Sequence, residues 1–349
     1  MHNANGFDAA PQHGPRPLPL FLDILRSETA ASPELRANAL AGLAKYQVAP
    51  RSLSRPPRPV VASCEGATLR DFGGDGPPVV VVPSLINPPA VLDLAEDSSL
   101  LEWLATQGLR PLLVEWNHAP APHAGPDVAG HVTDRLVPLL RAVGEPVLLV
   151  GYCLGGTMAL AAAQLVPLRA LALIAAPWHF DGFSEAARAE ITGLWRQAQP
   201  ACAALGLVPM EVLQAGFWRL DPRRVVRKYA DFAALPDGPT ADAFIALEDW
   251  ANGGAPLTLA AGREMFEDLF GGNVTGEGRW MVGGKVINPD AIACPAVDFV
   301  SLSDRIVPAA SSARLPDRRE LTAGHVGMVV GRNARAQLWE PLTAFLRAH

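Results

Sequence analysis

The sequence predicts an α/β fold: a mostly parallel sheet with helices on both faces and a helical cap insertion. Short apolar runs such as Val79–Val82 and Val147–Val150 are typical of strands buried on both faces. Residues 98–107 and 127–143 have apolar positions at helical spacing, although Pro138 must kink or cap the second stretch. Because such runs and helices alternate along the chain, we expect parallel strands joined by right-handed crossovers.

The alternation is interrupted once, and this sets the predicted domains. It stops at Pro177, passes through a stretch rich in aromatic residues and glycines, and resumes at Ala296. Before the first strand lie a polar leader, a helical stretch over residues 18–47 and a proline-rich linker. We therefore predict a disordered leader with an N-terminal helical arm, a core in two pieces, and a cap between them: residues 1–59, residues 60–177 with 290–349, and residues 178–289.

Composition excludes several classes of protein. The chain has 349 residues, 49% hydrophobic and 18% charged, so it has enough apolar side chains to form a large core. A net charge of −6 gives no reason to expect nucleic acid as a partner. The cysteines are too widely spaced for a zinc site or a disulfide framework, so we expect no metal and reduced thiols. We find no signal-peptide pattern and no membrane span, and expect a cytoplasmic protein.

The strongest local motif is Gly151-Tyr-Cys-Leu-Gly-Gly156, directly after a predicted strand and before a predicted helix. It matches the G-x-S-x-G nucleophile elbow with cysteine in place of serine. The sharp turn would lift the sulfur of Cys153 above the sheet edge, at a helix N-terminus that favours a thiolate. Side chains at 151 and 155 would clash with the adjoining strand and helix, which explains both glycines.

Two later residues complete a triad. Asp304 follows the predicted strand 296–302, and His325 lies in a glycine-flanked loop after another short strand. The order nucleophile, acid, histidine is that of the α/β-hydrolase fold. We predict that His325 deprotonates Cys153 or pairs with it as an ion, and that Asp304 orients the imidazole.

The surroundings of the nucleophile can be placed by topology. The backbone N–H of Leu154 is a natural oxyanion-hole donor, and a second donor is expected from the loop after Val79–Val82, at Leu85 or Ile86. For the substrate pocket, the carboxyl ends of the strands favour three residues. These are Trp178, His179 and Asn87.

Further segments carry a family resemblance. They are Val82–Asn87 with Val91–Leu94, Gly151–Gly156, Lys228-Tyr229, Phe270–Asn273, Val282–Gly284 with Ile292, Asp304–Pro308 and Gly324-His325. With these stretches, residues 60–349 resemble the polyhydroxyalkanoate synthases, and look most similar to the short catalytic subunits of that family.

The resemblance implies a function. Cys153 would carry the growing chain, Asp304 and His325 would complete the triad, and the substrate would be a 3-hydroxyacyl-CoA. The implied partners are the polyester granule surface and a second copy of the chain or a second synthase subunit, and no cofactor is expected. Cysteine fits acyl transfer independently, because moving an acyl group from CoA to a thiol exchanges one thioester for another and keeps it activated.

Two other readings stay open from the sequence. A cysteine hydrolase, similar to dienelactone hydrolases or acting as a thioesterase or esterase, would use the same elbow, but the dienelactone type is shorter and has no cap of this length. A non-catalytic relative that binds granules or a synthase would be favoured by an altered triad. All three triad positions are filled here.

Overall fold

The computed structural model describes residues 14–51, 55–117 and 121–349. The predicted leader, residues 1–17, therefore lies mostly outside the described residues. Within the described parts of the chain, no helix is both long enough and apolar enough to cross a bilayer.

The contacts divide the chain into two compact units. The first unites residues up to 54 with residues 217–253, and the second unites residues 55–216 with residues 254–349. The predicted cap, residues 178–289, thus contributes to both units, which sequence periodicity did not indicate. The predicted boundaries at residues 59, 177 and 289 stay a prediction.

The first unit is helical. Its helices bury Phe21, Tyr46 and Tyr229 in one cluster, with ring centroids of Phe21 and Tyr46 at 5.3 and 6.0 Å from that of Tyr229. Glu248 accepts hydrogen bonds from the Tyr229 hydroxyl at 2.9 Å and from Lys228 Nζ at 2.7 Å, so its buried charge is compensated. The helices are Leu18–Glu28, Pro33–Val48, Pro222–Ala234 and Pro239–Asn252, with Met210–Leu220 contributing residues to both units.

The second unit is built on an eight-stranded sheet. Its strands are β1 Val60–Cys64, β2 Ala67–Asp71, β3 Pro78–Val82, β4 Arg110–Trp116, β5 Leu148–Tyr152, β6 Ala170–Ile174, β7 Ala296–Ser301 and β8 Asp317–Leu321. Their order in the sheet is β1-β2-β4-β3-β5-β6-β7-β8. Only the β1–β2 and β2–β4 pairs are antiparallel; the other pairs are parallel. This order with an antiparallel second strand is that of the α/β-hydrolase fold, so the predicted fold class is confirmed.

The central strands form where the apolar runs predict them. All residues of β3, β5 and β6 are buried, because helices cover both faces of the sheet. The β1–β2 hairpin was not identified from the sequence. Its first strand lies at the sheet edge with Val60 and Val61 about half exposed, so it lacks the buried run that marks the others.

The helices of the second unit follow the strands as predicted. Around Pro138 the predicted irregularity takes the form of a π-helical stretch, His131–Leu136, because proline cannot donate the usual helical hydrogen bond. The remaining helices are Leu100–Thr106, Val128–Gly130, Val137–Ala142, Leu154–Ala162, Glu185–Leu205, Leu259–Arg263, Gly327–Val330 and Glu340–Arg347, with further π-helical stretches at Glu264–Gly271 and Arg335–Trp339. The carboxyl ends of β5, β7 and β8 meet at one edge of the sheet, where the candidate site lies.

Candidate active site

Cys153 occupies a strained turn between β5 and the helix Leu154–Ala162. Its φ of 56° and ψ of −132° place a non-glycine residue in a region that side chains rarely adopt. The turn is held from both sides, since the Cys153 N–H donates to the Ile174 carbonyl at 2.9 Å and the Gly156 N–H donates to the Cys153 carbonyl at 2.8 Å. This is the geometry predicted for a nucleophile elbow.

The elbow glycines are required by close packing. A Cβ on Gly151 would lie 2.5 Å from the Cα of Gly156, and one on Gly155 would lie 2.5 Å from the carbonyl oxygen of Pro83. Real Cβ atoms do not approach backbone atoms so closely. The clashes predicted for residues 151 and 155 are therefore confirmed.

Asp304 lies just beyond the end of β7 with a fully buried side chain. Its Oδ1 accepts hydrogen bonds from the backbone N–H groups of Ile306 at 2.8 Å and Val307 at 2.9 Å. Its Oδ2 lies 2.6 Å from Nδ1 of His325. Two main-chain donors thus fix the carboxylate, which presents its remaining oxygen to the imidazole.

His325 is buried, and the charges of Asp304 and Cys153 act on its imidazole. Burial lowers its pKa, but the charges of Asp304 and Cys153, and hydrogen bonds with the same two side chains, outweigh burial and raise the pKa to about 10. The ring is then an imidazolium at neutral pH, and its Nδ1–H donates to Asp304. The structure thus brings the three predicted triad residues together.

Two serines join the loops that carry Asp304 and His325. The Ser301 hydroxyl donates to the carbonyl of Ala323, and the Ser303 hydroxyl donates to the carbonyl of Thr322 at 2.6 Å. The loop before the histidine is thereby tied to the end of β7. The sequence analysis missed both contacts, although the Ser-x-Ser pattern directly before Asp304 was a visible signal.

Tyr152 is another neighbour that the sequence analysis missed. Its ring stacks on that of His325, with centroids 5.1 Å apart and planes inclined by 26°. Its hydroxyl donates to the main-chain carbonyl of His325 at 3.2 Å. The available signal was position, because Tyr152 immediately precedes Cys153 in the elbow motif.

The predicted oxyanion donors differ in their surroundings. Leu154 is the first residue of the elbow helix, and the missing side chain of Gly155 lets the loop after β3 approach that helix closely. In that loop the Ile86 N–H donates to the Ser84 hydroxyl at 3.2 Å. The amides of Leu154 and Leu85 are therefore the stronger candidates, and the oxyanion role stays a prediction.

The three predicted pocket residues are placed differently. Trp178 is only 1% exposed, and its ring packs edge-on against Trp280 with centroids 5.9 Å apart, so it forms part of the packed interior. His179 is half-buried, and burial together with the charge of Arg314 lowers its pKa. Asn87 is half-buried in the loop after β3. Their contact with substrate stays a prediction.

A metal centre would need several ligands in one place. Among residues 14–51, 55–117 and 121–349, no group of three or more histidine, cysteine, aspartate or glutamate side chains is arranged to hold a metal ion.

Comparison with curated proteins finds several poly(3-hydroxyalkanoate) polymerase subunits, whereas no protein-family model matches the chain. The poly(3-hydroxyalkanoate) polymerase subunit PhaC of Haloferax mediterranei is 27% identical over 279 residues, covering 75% of this chain and 57% of that protein. The subunit of the same name from Haloarcula marismortui is 26% identical, covering 80% and 62%. That from Allochromatium vinosum is 26% identical, covering 75% and 78%. The resemblance predicted from the sequence is thus confirmed.

The chain spans about three-fifths of the length of the two haloarchaeal relatives. Among solved structures, an alpha/beta hydrolase fold protein from Nakamurella multipartita is 21% identical, covering 81% of this chain and 96% of that one, with a TM-score of 0.48.

Proposed function

We propose that this chain, a relative of the poly(3-hydroxyalkanoate) polymerase subunits, polymerises 3-hydroxyacyl-CoA through a thioester on Cys153. The observation that carries the proposal is the cysteine elbow beside His325, whose Nδ1 lies 2.6 Å from Oδ2 of Asp304. A thiolate is the reactive form of cysteine, and an adjacent imidazolium provides it without a separate deprotonation step.

In the first half-reaction, the Cys153 thiolate attacks the carbonyl carbon of the acyl-CoA thioester. The negative charge that develops on the oxygen is stabilised by the N–H groups of Leu154 and Leu85. The carbon–sulfur bond to CoA then breaks, and the CoA thiolate takes the proton of His325. An acyl group is left on Cys153, and His325 is neutral.

In the second half-reaction, neutral His325 removes the proton from the 3-hydroxyl group of another 3-hydroxyacyl-CoA. The resulting oxygen attacks the acyl group on Cys153, an ester forms, and the sulfur leaves as a thiolate. The chain, now longer by one unit and attached to CoA, returns to Cys153 in a further thioester exchange that releases CoA. Asp304 balances the charge that appears on His325 in each cycle.

The product class implies the partners. We propose that the chain acts at the surface of the polyester granule, either with a second copy of itself or with a second synthase subunit. The substrate itself is a CoA thioester, and no cofactor is required by the steps above.

The test is to incubate the purified chain with 3-hydroxybutyryl-CoA and to follow free CoA together with the acyl product. Wild type is compared with Cys153→Ala and with Cys202→Ala, which also removes a buried sulfur but from the helix Glu185–Leu205. We expect CoA and insoluble polyester from wild type and Cys202→Ala, and neither from Cys153→Ala.

Two other results would contradict polymerisation. CoA with free 3-hydroxybutyrate would identify a thioesterase. If the chain alone releases no CoA but hydrolyses a simple ester or lactone, it is a cysteine hydrolase.

A further inference from the structure

Tyr152 contacts His325 in two places at once. The ring lies against the imidazole, with centroids 5.1 Å apart and planes inclined by only 26°. The hydroxyl reaches past the ring to the main-chain carbonyl of His325, to which it donates at 3.2 Å. One side chain thus limits both the plane of the imidazole and the position of the backbone that carries it.

The stacked ring of Tyr152 restricts a motion of the imidazole that the hydrogen bond to Asp304 leaves possible. The hydrogen bond between Asp304 and His325 Nδ1 fixes one edge of the imidazole, but the ring can still tip about that bond. A stacked ring on its face prevents the tipping. With edge and face both held, the imidazole keeps one orientation beside Cys153, whose charge is part of the electrostatics of His325.

Tyr152 also has the electronic character that attracts a charged imidazole. It is 3% exposed, and burial, followed by the negative charges of Cys153 and Asp304, raises its pKa well above its ordinary value, so it stays a neutral donor. The face of an electron-rich ring attracts a cation, and the attraction is larger where water is excluded. The stack therefore favours the imidazolium over the neutral ring.

We infer that Tyr152 is a positioning residue of the active site, which holds the imidazole of His325 in the plane that serves Cys153 and stabilises its charged form. Its effect on turnover rests on the proposed function. Its effect on the Cys153–His325 pair does not, because that pair exists without substrate.

The experiment measures alkylation of Cys153 by iodoacetamide against pH, with the Cys153 peptide quantified by mass spectrometry so that the other cysteines do not contribute. Tyr152→Leu removes both contacts, whereas Tyr152→Phe keeps the ring and loses only the hydrogen bond. We expect the rate at pH 7 to fall about tenfold in the leucine variant, and the pH at which His325 titrates to fall by about one. In the phenylalanine variant we expect a loss of less than about threefold.

Val150→Ala is the matched control, since it removes buried apolar volume from the same strand two residues before Tyr152. If it reduces alkylation as much as Tyr152→Leu does, general loosening of β5 explains the effect and the inference fails. Wild-type alkylation in the leucine variant, or an equal loss in the phenylalanine variant, would also overturn it. None of these readouts needs an acyl-CoA, so a chain that failed to make polyester would still test the role of Tyr152.

Discussion

Asp304 Oδ2 lies 2.6 Å from Nδ1 of His325, and both side chains are almost completely removed from solvent. In water such a pair is worth little, but in a buried site the carboxylate decides the protonation state of the ring. The two main-chain donors on the other oxygen of Asp304 keep it aimed at the imidazole. This relationship determines how the site should respond to pH and to mutation.

Asp304→Asn should lower the pKa of His325. The variant removes the charge that, with Cys153, raises the pKa of His325 to about 10, so that pKa should fall towards its ordinary value. The rate of CoA release should fall roughly 100-fold or more. Titration of the imidazole by NMR measures the first effect, and Asp290→Asn, at an exposed carboxylate, is the control. An unchanged imidazole titration would contradict the assigned coupling.

The same coupling predicts how stability depends on pH. Because the folded protein holds a proton on His325 more tightly than the unfolded chain does, this contribution is fully present below about pH 6.5. It is lost as the pH rises through about 10. Urea unfolding at pH 6, 8 and about 10.5 measures it. In Asp304→Asn the loss between about pH 8 and pH 10.5 should be smaller than in wild type, and an equal loss in both would contradict the prediction.

Gly155→Ala should damage the elbow. A methyl group there would meet the carbonyl oxygens of Val82 and Pro83, which are backbone atoms that cannot swing away. We expect a loss of about 1–3 kcal/mol in the free energy of unfolding, measured with urea, and a lower rate of Cys153 alkylation. Gly193→Ala is the control: it lies in the helix Glu185–Leu205 with open space around it and should gain about 0.5–1 kcal/mol. Equal stabilities of the two variants would contradict the packing described for the elbow.

The sequence revealed those parts of the site that local patterns encode. Cys153 stands in a strand–turn–helix motif, and Asp304 and His325 each follow a strand, so topology alone predicts that they meet. Tyr152 was missed, since its partner lies 173 positions away and nothing in the motif specifies a stacked ring.

The arrangement of the helical stretches was less predictable for the same reason. The helix Pro222–Ala234 is strongly amphipathic, but its apolar face does not indicate which part of the chain packs against it. In the structure that surface comes from the N-terminal arm, through Phe21 and Tyr46. Packing between distant parts of the chain depends on the complementary shapes of the side chains, and the periodicity of a single sequence does not predict it.

Glu264 gives a prediction away from the nucleophile. Its Oε2 accepts the backbone N–H groups of Val128 at 2.5 Å and Ala129 at 3.1 Å, and its Oε1 accepts the indole N–H of Trp280 at 2.6 Å. Both oxygens thus face donors only, so the amide nitrogen of a glutamine would have to point at another N–H. We expect Glu264→Gln to lower the free energy of unfolding by about 1–3 kcal/mol.

Urea unfolding measures this loss, and Glu277→Gln is the matched control. Its side chain is 53% exposed and pairs only with nearby Arg279 among the described residues, so the change should stay within about 0.5 kcal/mol. Because Trp280 also packs against Trp178, the loss at Glu264 should be accompanied by a shift in tryptophan fluorescence that the control lacks. Equal urea midpoints for Glu264→Gln and wild type would show that the carboxylate is not needed to join residues 128–129 to Trp280.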